Sequence, residues 1–198
     1  MPRNISPIER IRLYPGEYVV SGGNVIVSTL LGSCVSACLY DPASGIIGMN
    51  HFLLSNRRYA RNMSLCLTEA GRYGIHAMEL LINRMMQMGA NREALCAKCF
   101  GGGKVLPLSG TGDNFYCVGD VNVRFIREFL KDENIPLVSY DLGGENGRII
   151  HFHSSDFSVY VRKIKNTLSS KVMSEEKQIW KKNIERQESL VSKPDIWT

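Results

Sequence analysis

Residues 30–54 read "LLGSCVSACLYDPASGIIGMNHFLL". Two apolar runs flank "DPASG", where Pro42 fixes its own φ and Asp41 and Gly45 carry turn preferences. The runs read as strands over 34–40 and 46–54, paired as an antiparallel hairpin. A turn centred between Pro42 and Ala43 sets Cys34 opposite His51, with facing Cβ atoms about 4.5–5.5 Å apart. A neighbouring imidazolium lowers a thiol's pKa, and the same ring can then protonate a leaving group and activate water. Gly32 lets the backbone approach a substrate closely, and the N–H groups of Ser33 and Cys34 at such a bend suit an oxyanion. A cysteine in an apolar strand is also an ordinary small hydrophobe, so spacing alone leaves a packed thiol and a nucleophile both open.

Outward from the hairpin, "EYVVS" and "NVIVSTL" read as strands with Gly22-Gly23 as the turn between them. After the polar, basic segment "SNRRYARNMS", Thr68 is placed to cap a helix over "EAGRYGIHAMELLINRMMQMG". Its apolar residues Ala70, Tyr73, Ala77, Leu80, Leu81 and Met85 keep the helical period, and Gly89 stands at the stop. "ALCAKCF" reads as a buried strand leading into glycines 101–103 and a loop reaching about Val118. "DVNVRFIREFLKDEN" is an amphipathic helix and "IPLVSYDL" a strand. "GGENG" is a turn, and "RIIHFH" and "SVYVRKI" form a last strand pair. The class is α+β, an α/β sandwich of mainly antiparallel sheet with flanking helices. One domain spans residues 1–165. Residues 166–198 carry charges of both signs and few apolar side chains, which fits a surface helix or a solvated tail.

Composition narrows the function classes. The chain has 198 residues, 44% hydrophobic and 22% charged, with a net charge of +5. No arginine-rich arm, zinc-finger spacing or aromatic-glycine RNA-binding pattern argues for nucleic acid. The first residues hold no secretory h-region, and the apolar runs are far too short to span a bilayer. The cysteines at 34, 38, 66, 96, 99 and 117 lie mostly in apolar, strand-like runs. They read as reduced thiols of a cytoplasmic protein. "CAKC" at 96–99 is one ligand pair where zinc takes four ligands, and "HFH" at 151–153 supplies two imidazoles. No metal site is expected from either. "FGGGKV" lacks the spacing of a phosphate loop and has Val105 where Ser or Thr is needed. Arg57, Arg58 and Arg61 suit an acidic partner surface or plain solvation.

Taken in order, "LGSCVSACLYDPASGIIGMNHFLL", "YGIHAMELLINRMMQMGA", "AKCFGGGKVL", "VGDVNVRFIREFL" and "DLGGENGRIIHF" resemble the CheD family of chemoreceptor glutamine deamidases. The likeness runs from about residue 15 to 164. It implies a fold similar to the catalytic domain of the cytotoxic necrotizing factor toxins. It also implies hydrolysis of selected receptor glutamines to glutamate, without metal or organic cofactor. The implied partners are the cytoplasmic domains of methyl-accepting chemoreceptors and, in many bacteria, the CheC phosphatase. By position, Cys34 resembles the family's nucleophile and His51 its general base. The third catalytic position is a threonine six residues before the cysteine, where this chain has Ser28, followed by Thr29. Along a continuous strand Ser28 shares Cys34's parity, so Ser28 is the expected orienting residue and Thr29 the alternative. Gly101, Gly102, Gly143 and Gly144 are expected to pack near the site and shape its groove. Two other readings compete: a non-catalytic module that regulates CheC, and a cysteine amidase or protease with another substrate.

Overall fold

The computed structural model describes residues 7–54, 69–104 and 118–164. Cys66, Cys117, Val105, the segment with Arg57, Arg58 and Arg61, and residues 166–198 lie outside the described residues. In chain order the elements are β1 (Glu9–Arg12), β2 (Tyr18–Ser21), β3 (Val25–Leu31), β4 (Val35–Tyr40), β5 (Ile47–Asn50), α1 (Glu69–Gln87), β6 (Cys96–Gly101), α2 (Val118–Asp132), β7 (Leu137–Leu142), β8 (Gly147–His153) and β9 (Val159–Ile164). They form a four-stranded sheet in the order β1-β3-β8-β9 and a five-stranded sheet in the order β2-β5-β4-β6-β7. Among the described residues only β1–β3 and β6–β7 pair in parallel, so the sheets are mainly antiparallel as expected.

The pleat of β4 explains the layering. Val35, Ala37 and Leu39 join a core with Met78, Leu81 and Phe125 of the helices. Cys34 and Cys38 join a second core with Val27, Leu31, Ile150 and Phe152 of the opposite sheet. The five-stranded sheet is thus covered by helices on one face and by the four-stranded sheet on the other. A strand buried on both faces needs a near-continuous apolar run, which "VSACLY" supplies.

Two expectations are corrected, and one strand is added. Gly22-Gly23 does not close a hairpin, because β2 and β3 belong to different sheets. "ERIR", a charged stretch without strand patterning, forms β1 and pairs with β3. The β4–β5 register differs as well: Tyr40 faces Ile47, Cys38 faces Met49 and Val35 faces Phe52. Cys34 is therefore two positions out of step with His51. A shift of two leaves both side chains on the face expected, where a shift of one would have separated them.

The register follows from Asp41. This buried carboxylate accepts from the Ala43 N–H at 2.8 Å, the Ser44 hydroxyl at 2.8 Å and the Asn91 N–H at 3.0 Å. Asp41 N–H bonds to Ile46 O at 3.0 Å, so the loop closes between Asp41 and Ile46 around the carboxylate. The Asn91 N–H and the other donors hold its pKa below the ordinary carboxylate range.

α1 and α2 meet at Gly74, where a Cβ would lie 2.4 Å from Cζ of the fully buried Phe125. Phe125 in turn meets Phe52 edge-on at 5.7 Å, just beyond β5. Gly→Ala inside a helix ordinarily stabilises by about 1 kcal/mol. Here the sign reverses: Gly74→Ala is expected to lose about 1–3 kcal/mol through overpacking. Urea unfolding measures this, and a gain in stability would show that Phe125 yields without cost.

Candidate active site

The chain crosses from one sheet to the other at residues 32–34, between β3 and β4. Two glycine loops hold this crossing. Gly103 N–H donates to Gly32 O at 2.7 Å, and Gly102 N–H to Cys34 O at 2.7 Å. Gly101 has φ +113°, and a Cβ there would lie 2.1 Å from Cys34 O, so the approach requires glycine. The second loop joins through Gly143 N–H to Gly101 O at 2.8 Å and Lys104 N–H to Gly144 O at 2.7 Å. Gly101, Gly102, Gly143 and Gly144 thus stand together beside fully buried Cys34.

Arg148, absent from the sequence reading, underlies the second loop. Its guanidinium donates to the carbonyls of Asp141, Gly143 and Asn146 and pairs with the Asp141 carboxylate at 3.0 Å. Burial lowers its pKa from the ordinary arginine value. An arginine at an inward position of "GRIIHF" was the available signal.

His51 follows directly on β5. Its N–H donates to Glu17 O at 3.0 Å, and its carbonyl accepts from Gly16 N–H at 2.7 Å. The ring is 2% exposed. Its Nδ1 lies 2.8 Å from Thr29 Oγ1, and that hydroxyl donates to Leu13 O at 2.8 Å. A hydroxyl has one proton, so Thr29 accepts from Nδ1–H. This assigns the tautomer: Nε2 carries the lone pair, and among the described residues it meets no hydrogen-bond partner. Burial pushes the imidazole from the ordinary 6.5 down to about 3. The ring is neutral near pH 7, in place of the imidazolium that the sequence reading invoked.

The expected pairing of Ser28 with His51 is also corrected. Ser28 Oγ lies 2.7 Å from His151 Nδ1, on the outer face of the four-stranded sheet. Thr29 points inward with Val27 and Leu31. Parity counted from Cys34 fails because residues 32–34 leave one sheet for the other.

Cys96 and Cys99 lie on one strand, whose pleat turns them to opposite faces, so "CAKC" does not present two thiols together. His151 and His153 share a face as expected, His151 against Ser28 and His153 edge-on to Tyr160 at 5.0 Å. Among the described residues, no group of three or more His, Cys, Asp or Glu is placed to hold a metal ion, and no helix is long and apolar enough to cross a membrane.

The family model described as "CheD chemotactic sensory transduction" matches residues 53–163. A Geobacter sulfurreducens protein named "Probable chemoreceptor glutamine deamidase CheD 1" is 54% identical over 187 residues, covering 94% of this chain and 93% of that one. The span is too long to leave out residues 28–51. A Shewanella oneidensis protein named "Probable chemoreceptor glutamine deamidase CheD 2" is 47% identical over 153 residues, 76% of this chain and 74% of that one. Among solved structures, the Bacillus licheniformis hypothetical protein YfiH gives a TM-score of 0.40 at 14% identity, covering 63% of this chain and 49% of that one.

The buried imidazole has a consequence for stability. The folded protein keeps His51 neutral down to about pH 3, while the unfolded chain protonates near the ordinary 6.5. Between those values the unfolded state binds the extra proton, so stability falls as pH falls, by up to about 1.4 kcal/mol per pH unit. Above pH 6.5 the term vanishes. The stability difference between wild type and His51→Gln should therefore shrink steadily from pH 7 to pH 4 in urea titrations. A difference independent of pH would contradict the burial of a neutral ring.

Proposed function

This chain belongs to the CheD family, and on that premise we propose that it deamidates glutamine side chains of chemoreceptors through Cys34. The observation that carries the reading is His51: a buried neutral ring, anchored through Nδ1 to Thr29, with Nε2 left as a base between the same two sheets as Cys34. In the reaction, His51 Nε2 takes the Cys34 thiol proton and the thiolate attacks the glutamine carboxamide carbon. The oxyanion is held by N–H groups at the Ser33–Cys34 bend. The C–N bond breaks as His51 returns its proton to the leaving nitrogen, which departs as ammonia. Water, deprotonated by His51, then attacks the thioester. Glutamate is released and the thiol restored. Thr29 holds the ring's tautomer and angle.

On this reading the protein works in the cytoplasm, against receptor cytoplasmic domains, with the CheC phosphatase as a second partner. Residues 1–165 form the catalytic domain in this reading, and residues 166–198 are an appendage to it. The glycine loops at 101–102 and 143–144 wall the substrate groove.

The test is incubation with a purified receptor signalling domain and mass spectrometry of its glutamines. Wild type should convert selected glutamines to glutamate without cutting the chain. Peptide cleavage would identify a protease instead. Cys34→Ala should abolish conversion with native circular dichroism; turnover at the wild-type rate would remove Cys34 as nucleophile.

The orienting role is tested separately. Thr29→Val should lower kcat by about 10-fold or more, as expected for a misaimed catalytic group. Ser28→Ala should leave kcat within about twofold, since its hydroxyl serves His151. The reverse pattern would return the role to Ser28.

A further inference from the structure

The β4–β5 ladder is altered where it carries Cys34 and His51. Val35 and Phe52 exchange both backbone bonds, Val35 N–H to Phe52 O at 3.0 Å and Phe52 N–H to Val35 O at 2.9 Å. In a regular antiparallel ladder the next such rungs lie two residues away on each side. Those rungs are Ser33 with Leu54 and Ala37 with Asn50. At each of them a side-chain carboxamide stands where a backbone bond is expected.

On one side the amide comes from Asn122 of α2, which is fully buried. Leu54 N–H donates to Asn122 Oδ1 at 2.8 Å, and Asn122 Nδ2 donates to Ser33 O at 2.8 Å. The carboxamide thus occupies the span that a direct Leu54 N–H to Ser33 O bond would close. On the other side Asn50 uses its own side chain. Ala37 N–H donates to Asn50 Oδ1 at 3.0 Å, while Asn50 O accepts from the Ser36 hydroxyl at 2.5 Å. Asn50 Nδ2 is directed to Met78 Sδ of α1 at 3.2 Å.

Cys34 lies between the Val35–Phe52 rung and the Asn122 splice. His51 lies between the same rung and the Asn50 splice. A regular ladder would leave the two residues as a diagonal pair, with a separation of roughly 7–8 Å. A carboxamide has a peptide's donor and acceptor, so it opens the rung without orphaning a buried backbone group. We propose that Asn50 and Asn122 are positioning residues, whose amides open the ladder on either side of Val35–Phe52 and so set the aim of His51 and the placement of Cys34. The peptide that carries His51 is fixed at both ends, its carbonyl by Ser36 and its N–H by Glu17 O.

This inference rests on the deamidase reading, and its test separates the two. Steady-state deamidation of a receptor signalling domain is measured for wild type, Asn50→Ala, Asn122→Ala, Asn122→Asp and Ser36→Ala. Asn50→Ala and Asn122→Ala should lower kcat by about 10- to 100-fold, the scale of a displacement near 1 Å, with KM within about twofold. Asn122→Asp keeps the shape and the acceptor for Leu54 N–H but loses the donor to Ser33 O, so it should resemble Asn122→Ala. Ser36→Ala should show a smaller loss in the same direction.

The second readout needs no substrate. In nitrogen–proton correlation spectra of histidine-labelled protein, wild-type His51 should be a single Nδ1–H tautomer. Asn50→Ala and Ser36→Ala should show a mixture. Folded variants with wild-type kcat and an unchanged His51 tautomer would overturn the proposal. If Asn50→Ala does not fold, Ser36→Ala decides by the same two measurements. Inactive wild type would refute the deamidase reading, and the tautomer data would then decide the positioning claim.

Discussion

The hydroxyl of Thr29 has one proton, and Leu13 O receives it. That direction makes Thr29 an acceptor for His51 Nδ1, across an inter-sheet space otherwise filled by Val27, Leu31, Met49 and Phe152. In such surroundings a hydrogen bond is strong and an unmade one is costly. The imidazole is held in one orientation and one tautomer, and its remaining nitrogen is left as a base. The four-stranded sheet supplies Leu13 and Thr29, and the five-stranded sheet supplies Cys34 and His51. The site therefore depends on the packing of the two sheets against each other.

The same burial sets the electrostatics. A ring that stays neutral down to about pH 3 cannot hold Cys34 as a thiolate by charge at pH 7. In the proposed reaction it receives the Cys34 proton only in the step in which the thiol attacks. The surrounding scaffold is closely packed. Gly101 permits a contact with Cys34 O that a Cβ would block, and Arg148 ties three carbonyls of the neighbouring loop.

Much of this was legible in residues whose pattern is local. The apolar period across 69–89 fits α1, and the alternation in "RIIHFH" gives the two faces of β8. The inward face of Cys34 and His51 could be read because strand parity survives a register error of two. The register itself could not, because Asp41 closes its loop partly through the N–H of Asn91, far along the chain. Parity favours Ser28 over its alternative Thr29 as the partner of His51, and it fails at Gly32, where the chain leaves one sheet for the other. Asn122 gave no sequence signal: an asparagine in "VGDVN" resembles a solvated helix residue, and its two partners lie 89 and 68 residues away.

The two splicing asparagines carry the same functional group as a glutamine substrate, and they flank the rung beside Cys34 and His51. The pleat explains why they are separated from the chemistry of that pair. Cys34 packs into the core between the sheets, whereas Asn122 arrives from α2 and Asn50 turns its amide nitrogen to Met78 of α1. Both carboxamides lie in the ladder or on its helix side, and their carbonyl oxygens are already occupied by Leu54 N–H and Ala37 N–H. In the proposed reaction a substrate carboxamide meets the other face of β4, where Cys34 and the Thr29-bound His51 lie. On that proposal the face of one strand separates a structural amide from a reactive one, and the alternation of "CVSACLY" bears directly on the chemistry.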